Sequence, residues 1–238
     1  MNRHTLVGCL GKLDRGAAKP PSGEKVTRLL LGTVDGRLEF GLARVLRDLN
    51  KLGVSVTETG IDLLLLATLV QCADTRIARA TESQDAWTRE IHLVVPVSDP
   101  SRWGASRSVL ETMLSFLSGD LWTVGFSQRP PTFKVAVGGK QAPKAPSFDQ
   151  VSLFSGGLDS LVGAVDALEA GATPLFVSHA AEGSTSTAQN ACFQGLKANY
   201  QDRPFARLRA WFSARRAKFA GQNLPATLRR PPTQSPTH

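Results

Sequence analysis

At 238 residues and 42% apolar content, the chain is long enough to bury one large core or two small ones. Its net charge of +8 sits at one end: residues 1–202 carry 20 Lys+Arg against 20 Asp+Glu, whereas residues 203–238 carry eight basic residues and no acid. The longest apolar run, Leu63 to Val70, falls far short of the roughly 20 residues of a membrane span, and the charged residues among the first twenty leave no secretory core, so a cytoplasmic protein without a membrane partner is expected.

Residues 1–24 are polar, with Gly16, Pro20, Pro21 and Gly23, and read as an irregular lead-in. Val26–Val34 reads as a first strand. Phe40–Gly53 places Leu42, Val45, Leu46 and Leu49 at helical spacing, with Gly53 as a stop. Ile61–Arg79 is the strongest helix and is expected to be buried on most sides. Arg89–Asp99 reads as a strand that Pro96 places at an edge or ends. Ser108–Asp120 is an amphipathic helix, with Val109, Met113, Phe116 and Leu117 expected to face inward. Leu121–Gln128 is a further strand.

The composition then shifts. Pro130, Pro131, Gly138, Gly139, Pro143 and Pro146, around the short apolar run "FKVAV", mark a linker or a hairpin-bearing connection. Beyond it, Val151–Phe154 is short and apolar, as in a strand buried on both faces. Ser160–Ala170 is a helix, Thr173–His179 a strand, Thr187–Tyr200 a helix and Phe205–Phe212 a strand. This order predicts right-handed crossovers and a parallel sheet. The expected division is an irregular lead-in (1–24), an N-terminal α+β domain (25–128), a Pro/Gly-rich linker (129–147), a parallel-sheet α/β nucleotide-binding domain (148–212) and a basic, Pro-rich tail without fixed structure (213–238).

The three cysteines, Cys9, Cys72 and Cys192, lie far apart and form no CxxC pair. Neither a zinc site nor a disulfide framework is expected. The basic tail is able to meet phosphates. The charge-neutral body, however, offers no patch to orient a duplex, which argues against a nucleic-acid partner.

The chemistry concentrates in Ser155-Gly156-Gly157-Leu158-Asp159-Ser160. A parallel strand followed at once by a helix presents free N–H groups at the carboxyl edge of the sheet, where open α/β sheets bind ligands. The helix dipole adds positive charge there. Gly156 and Gly157 let phosphate oxygens approach the backbone, and Ser155 and Ser160 add hydroxyls. Asp159 is placed to cap the helix or to help hold a magnesium ion. The Gly-Lys-Ser/Thr ending of the kinase and GTPase phosphate loop is absent, as is the Rossmann Gly-x-Gly-x-x-Gly. His179 closes the next strand at the same edge, with Ser178 and Glu182 beside it.

Residues 155–160 resemble the SGGxDS signature of the PP-loop ATP pyrophosphatases, matching all its fixed positions in the right context. The resemblance implies an adenine nucleotide alpha hydrolase-like fold. It implies ATP with Mg2+, attack of a substrate oxygen on the α-phosphate, and release of pyrophosphate held by Ser155, Gly156, Gly157, Leu158, Asp159 and Ser160. Asp159 and Ser160 would be the catalytic positions, and His179 would lie near the adenine. The strand–helix–strand half is similar to the QueC-like enzymes that make 7-cyano-7-deazaguanine. The region of about 150 residues ahead of the loop, with "WTREIHLVVPVSDP" (Trp87–Pro100), Trp103 and "LSFLSGDLWTVGF" (Leu114–Phe126), resembles the QueC-like proteins of anti-phage defence of the QatC type. That implies a ligase- or amidotransferase-like reaction on a deazapurine-like small molecule or a protein, with partners in a defence operon. The zinc-binding cysteine cluster of the biosynthetic enzymes is missing. After Phe212 the apolar periodicity fades into "LRRPPTQSPTH", so the domain is expected to be incomplete, its C-terminus truncated or frameshifted. The alternative expectation is a non-catalytic nucleotide- or partner-binding remnant.

Overall fold

A computed structural model describes residues 3–11, 25–83, 87–131, 133–135, 147–179, 184–212 and 219–220. The protein is mixed α/β with parallel sheets and divides into two compact units. The first comprises Met1–Asp35, Glu58–Phe133 and Arg216–His238, and the second Gly36–Thr57 and Lys134–Arg215. This partition differs from the contiguous one expected from sequence. Helix α1 (Leu42–Lys51) belongs with the later half of the chain, because Val45 is buried together with Leu175 and Leu208.

The first unit holds β1 (Arg3–Leu10), β2 (Lys25–Gly32), α2 (Glu58–Arg76), α3 (Arg79–Glu82), β3 (Glu90–Val97), α4 (Pro100–Ala105), α5 (Arg107–Ser118), β4 (Leu121–Gln128) and the short β8 (Phe219–Ala220). Its sheet runs β4-β3-β1-β2-β8. The first four strands pair in parallel, and β8 pairs antiparallel to β2. Two expectations are corrected here. Residues 3–10, expected to be irregular, form an interior strand, because Leu6, Val7, Cys9 and Leu10 fill both faces of the sheet. Residues 219–220, placed in a structureless tail, form a strand. Residues 12–24, 136–146 and 221–238 lie outside the described residues.

Strand β3 is interior, not an edge. Pro96 lies opposite Ser127 of β4 and beyond the last pair with β1, Val7↔Val94, so its missing N–H interrupts no ladder on that side. Gly8 makes room for its ring: a Cβ there would lie 2.8 Å from Pro96 Cδ and 2.7 Å from Leu31 Cδ1. Helix α2 buries Ile61, Leu65, Leu66, Leu69 and Cys72 but exposes a stripe through Leu63, Ala67, Gln71 and Asp74. It is covered on one broad face rather than most sides.

The expectation for α5 is reversed. Val109, Met113, Phe116 and Leu117 point to solvent, and Leu114 is its buried residue. The helix is held to β4 on its other side, where Glu111 accepts the Val124 N–H at 2.8 Å.

Two buried ionic knots brace this unit. At the start of β3 and β4, Asp120 accepts from the Arg89 backbone N–H, from Arg89 Nε and Nη2, and from Arg79. Arg89 also reaches Asp74 and the Asp74 and Ile77 carbonyls. Burial opposes the carboxylate, but the bonds and charge of Arg89 outweigh it and hold Asp120 below the usual aspartate range. At the opposite end of the strands, Asp62 accepts from Ser98 N–H and Oγ–H and from Trp103 Nε1–H, and Arg129 bonds Glu58 and lies 3.7 Å from Asp62. Phe133 sits against Gly32. These side chains lie at the carboxyl edge of this sheet, the usual ligand edge of an open α/β sheet.

The second unit contains α1, β5 (Gln150–Leu153), α6 (Leu158–Glu169), β6 (Pro174–His179), α7 (Ser184–Asn199) and β7 (Ala206–Ala210). Its sheet is parallel, in the order β5-β6-β7. Phe154, Ala164, Leu168, Phe176, Phe193 and Leu196 form the core on the α6/α7 side. Val45, Leu175 and Leu208 form it on the α1 side. Strand β5 is not buried on both faces as expected: Val151 and Leu153 are exposed, because β5 is an edge strand and α1 packs on β7.

Candidate functional site

The loop from Ser155 to Ser160 starts from a fixed point. The Phe154 N–H donates to the Val177 carbonyl at 2.8 Å, and the Phe154 carbonyl accepts from Ser178 Oγ at 2.7 Å. The Phe154 ring is 1% exposed and packs against Phe176 and Phe193. Ser178, read in the sequence as a neighbour of the site, is fully buried and acts as this anchor.

The two glycines do different work. Gly156 has φ +80°, and a Cβ on it would lie 2.7 Å from the Gln189 backbone nitrogen and 2.8 Å from its Cα. It is glycine so that the loop can lie against α7. Gly157 has an ordinary φ of −85°, and a Cβ there would meet only Ser155 Oγ, at 3.5 Å. Among the described residues nothing else stands within 4 Å of that position.

Ser160 is the hub of the loop. Its hydroxyl donates to the Gly157 carbonyl at 2.9 Å and receives the Gly156 N–H at 3.1 Å and Ser155 Oγ at 3.2 Å. Ser155 Oγ accepts the Gly157 N–H at 3.3 Å. These bonds are at the long end of the hydrogen-bond range. A stronger acceptor such as a phosphate oxygen would compete well for the two N–H groups.

Helix α6 begins at Leu158 with Gly157 as its N-cap and no side-chain cap. This corrects one expected role of Asp159: it does not cap the helix. It stands exposed in the first turn, where its charge complements the dipole. The Leu161 N–H reaches the Gly157 carbonyl, so the N–H groups of Leu158, Asp159 and Ser160 have no acceptor within the helix. The helix ends through Gly171 at φ +81°, whose N–H bonds the Leu168 carbonyl.

Sequence reasoning missed Gln189. It is 2% exposed, its backbone lies against Gly156, and its Nε2 donates to the His179 carbonyl at 3.0 Å. It therefore joins the loop to the end of β6. Its one sequence signal is helical spacing with Phe193 and Leu196. Cys192 Sγ lies 3.6 Å from the Gly156 carbonyl. Arg207 secures α7 from below, bonding the Gln189 carbonyl and Asn190 Oδ1, with its guanidinium 4.4 Å from the Phe193 ring centre. The His179 side chain is exposed at the same sheet edge. Thus Ser155, Gly156, Gly157, Leu158, Asp159 and Ser160 form one loop, with His179 connected to it through Gln189. Glu182 lies outside the described residues. Among the described residues no group of three His, Cys, Asp or Glu could hold a metal ion, and no helix is long and apolar enough to cross a membrane.

Comparison with protein-family models, with curated proteins and with solved structures finds no match to this chain.

Proposed function

We propose that the second unit binds ATP with Mg2+ through the loop 155–160 and that the protein is a PP-loop enzyme of the QueC-like type. One observation carries this reading: a Ser-Gly-Gly-Leu-Asp-Ser loop at the carboxyl end of a parallel strand, with Gly157 unobstructed over the start of α6. The α6 N–H groups, its dipole and the two serine hydroxyls are suited to β- and γ-phosphate oxygens. In the proposed reaction an acceptor oxygen forms a bond to the α-phosphorus. The bond from that phosphorus to the bridging oxygen breaks, and pyrophosphate leaves with its electron pair. Negative charge grows on the leaving group, where the loop is positive. Asp159, exposed beside the loop, is the residue suited to help hold Mg2+, which would neutralise the polyphosphate. By the same resemblance His179 would lie toward the base end of the nucleotide. The acceptor class is a deazapurine-like small molecule or a protein, and the setting is anti-phage defence in the cytoplasm.

Calorimetric titration with Mg-ATP, followed by pyrophosphate release in the presence of carboxylate-bearing acceptors, tests the proposal. Unchanged ATP affinity in Gly157→Val would overturn the phosphate-loop reading.

A second reading has its own support. The sheet has three strands, and β5 leaves Val151 and Leu153 exposed, which favours a nucleotide- or partner-binding role without turnover. ATP binding without pyrophosphate release would select it.

A further inference from the structure

Helix α5 turns its apolar face away from its own sheet. Val109, Met113, Phe116 and Leu117 are 69, 45, 87 and 71% exposed and fall at i, i+4, i+7 and i+8 of one helix face. Ser108, Val109, Thr112, Met113 and Phe116 line a shallow groove along it. We propose that this face is a homodimer interface, in which α5 packs antiparallel against α5 of a second copy about a two-fold axis.

Three considerations select a second copy as the occupant. The first is charge. From Ser108 to Ser118 the helix carries one ionisable side chain, Glu111, and that is bonded back to the Val124 N–H of β4. The outward stripe therefore has no charge to recognise a nucleic acid or a charged peptide, and two copies of it meet without repulsion. The second is area. The four side chains expose about 500 Å² of apolar surface per copy, at the scale at which a contiguous patch marks an interaction site. Pairing two such faces buries at most about 1,000 Å², the size of a weak, reversible contact rather than an obligate one. The third is the helix ends. An antiparallel arrangement sets Arg107, at the N-terminal end, beside the partner's C-terminal carbonyls, where a cation is favoured. An isologous contact of this kind closes on itself and gives a dimer rather than a fibre.

The test is light scattering after size exclusion across a concentration series of the full chain, on the wild type and on Phe116→Asp. The expected result is a dimer that dissociates on dilution, with a melting temperature that rises with protein concentration, and a Phe116→Asp variant that is monomeric and melts at one temperature at every concentration, matching the dilute wild type. Thr112→Cys, placed near the two-fold axis, should form an intermolecular disulfide under mild oxidation, with Cys192 replaced by Ser to remove the half-exposed native thiol. A wild type that stays monomeric at every concentration overturns the proposal. So does a dimer that survives Phe116→Asp.

Discussion

The backbone of Gln189 fills the space that a side chain on Gly156 would need, with 2.7 Å between the Gln189 nitrogen and an ideal Cβ. The first glycine of the loop is thus fixed by packing, whereas among the described residues a Cβ on the second would meet only Ser155 Oγ. The two substitutions should separate cleanly. Gly156→Ala, at φ +80° and against backbone atoms that cannot give way, is expected to destabilise the second unit by about 2–4 kcal/mol. Gly157→Val should cost about 1 kcal/mol or less, through a poorer N-cap on α6, and weaken ATP binding by about tenfold or more. Thermal unfolding and calorimetry on the two variants read both effects.

Ser160 supplies one hydroxyl to three loop partners. Ser160→Ala should lower ATP affinity by about tenfold, the scale of one hydrogen bond to a charged group. Because the loop is at the surface, stability should change little. Equal ATP affinity in the variant and the wild type would remove Ser160 from the site.

Cys192 Sγ touches the Gly156 carbonyl and is half-buried, whereas Cys9 and Cys72 are buried. Burial also pushes the Cys72 thiol up to about 11, which keeps it protonated and unreactive. Alkylation of the native protein, mapped by mass spectrometry, should label Cys192 first. ATP should slow that labelling, because a nucleotide that orders the loop restricts access to the sulfur beneath it.

Asp120 gives the first unit an acid limit. Its folded-state value lies below the ordinary 3.8, because the bonds to Arg89 outweigh the cost of burial. Its contribution to stability is therefore complete above that ordinary value and is lost as the pH falls toward the folded-state value. Asp120→Asn should remove this limb of the pH–stability curve. It should also cost about 3 kcal/mol at neutral pH, because it leaves the buried Arg89 guanidinium short of its main counterion. Denaturant midpoints measured between neutral and acid pH check both the sign and the size.

The loop was legible in the sequence because everything that defines it is local: an apolar strand, six residues and a helix start. What sequence reading missed depends on distant partners. Gln189 is one polar residue of an ordinary helix until the fold brings Gly156 against it. The β1 strand was hidden by Arg3, His4 and Thr5, which made a buried strand start like a polar lead-in. The direction of α5 was read backwards, because its apolar side is its most conspicuous feature, whereas its contact with β4 uses Leu114 and a hydrogen bond from Glu111. Pro96 argued for a strand edge, and the short ladder from β1 removed that argument.

The placement of α1 bears on how the chain is made. Val45, Leu49 and Leu52 find their partners on β6 and β7, at Leu175, Val177 and Leu208. During synthesis this helix emerges early and stays without its apolar partners until β7 has left the ribosome. A loop of that length adds to the entropy of closure and slows folding, and strands β3 and β4 of the first unit are synthesised during that time. A ribosome stall or premature stop before Leu208 would release a chain whose first helix has nothing to pack against.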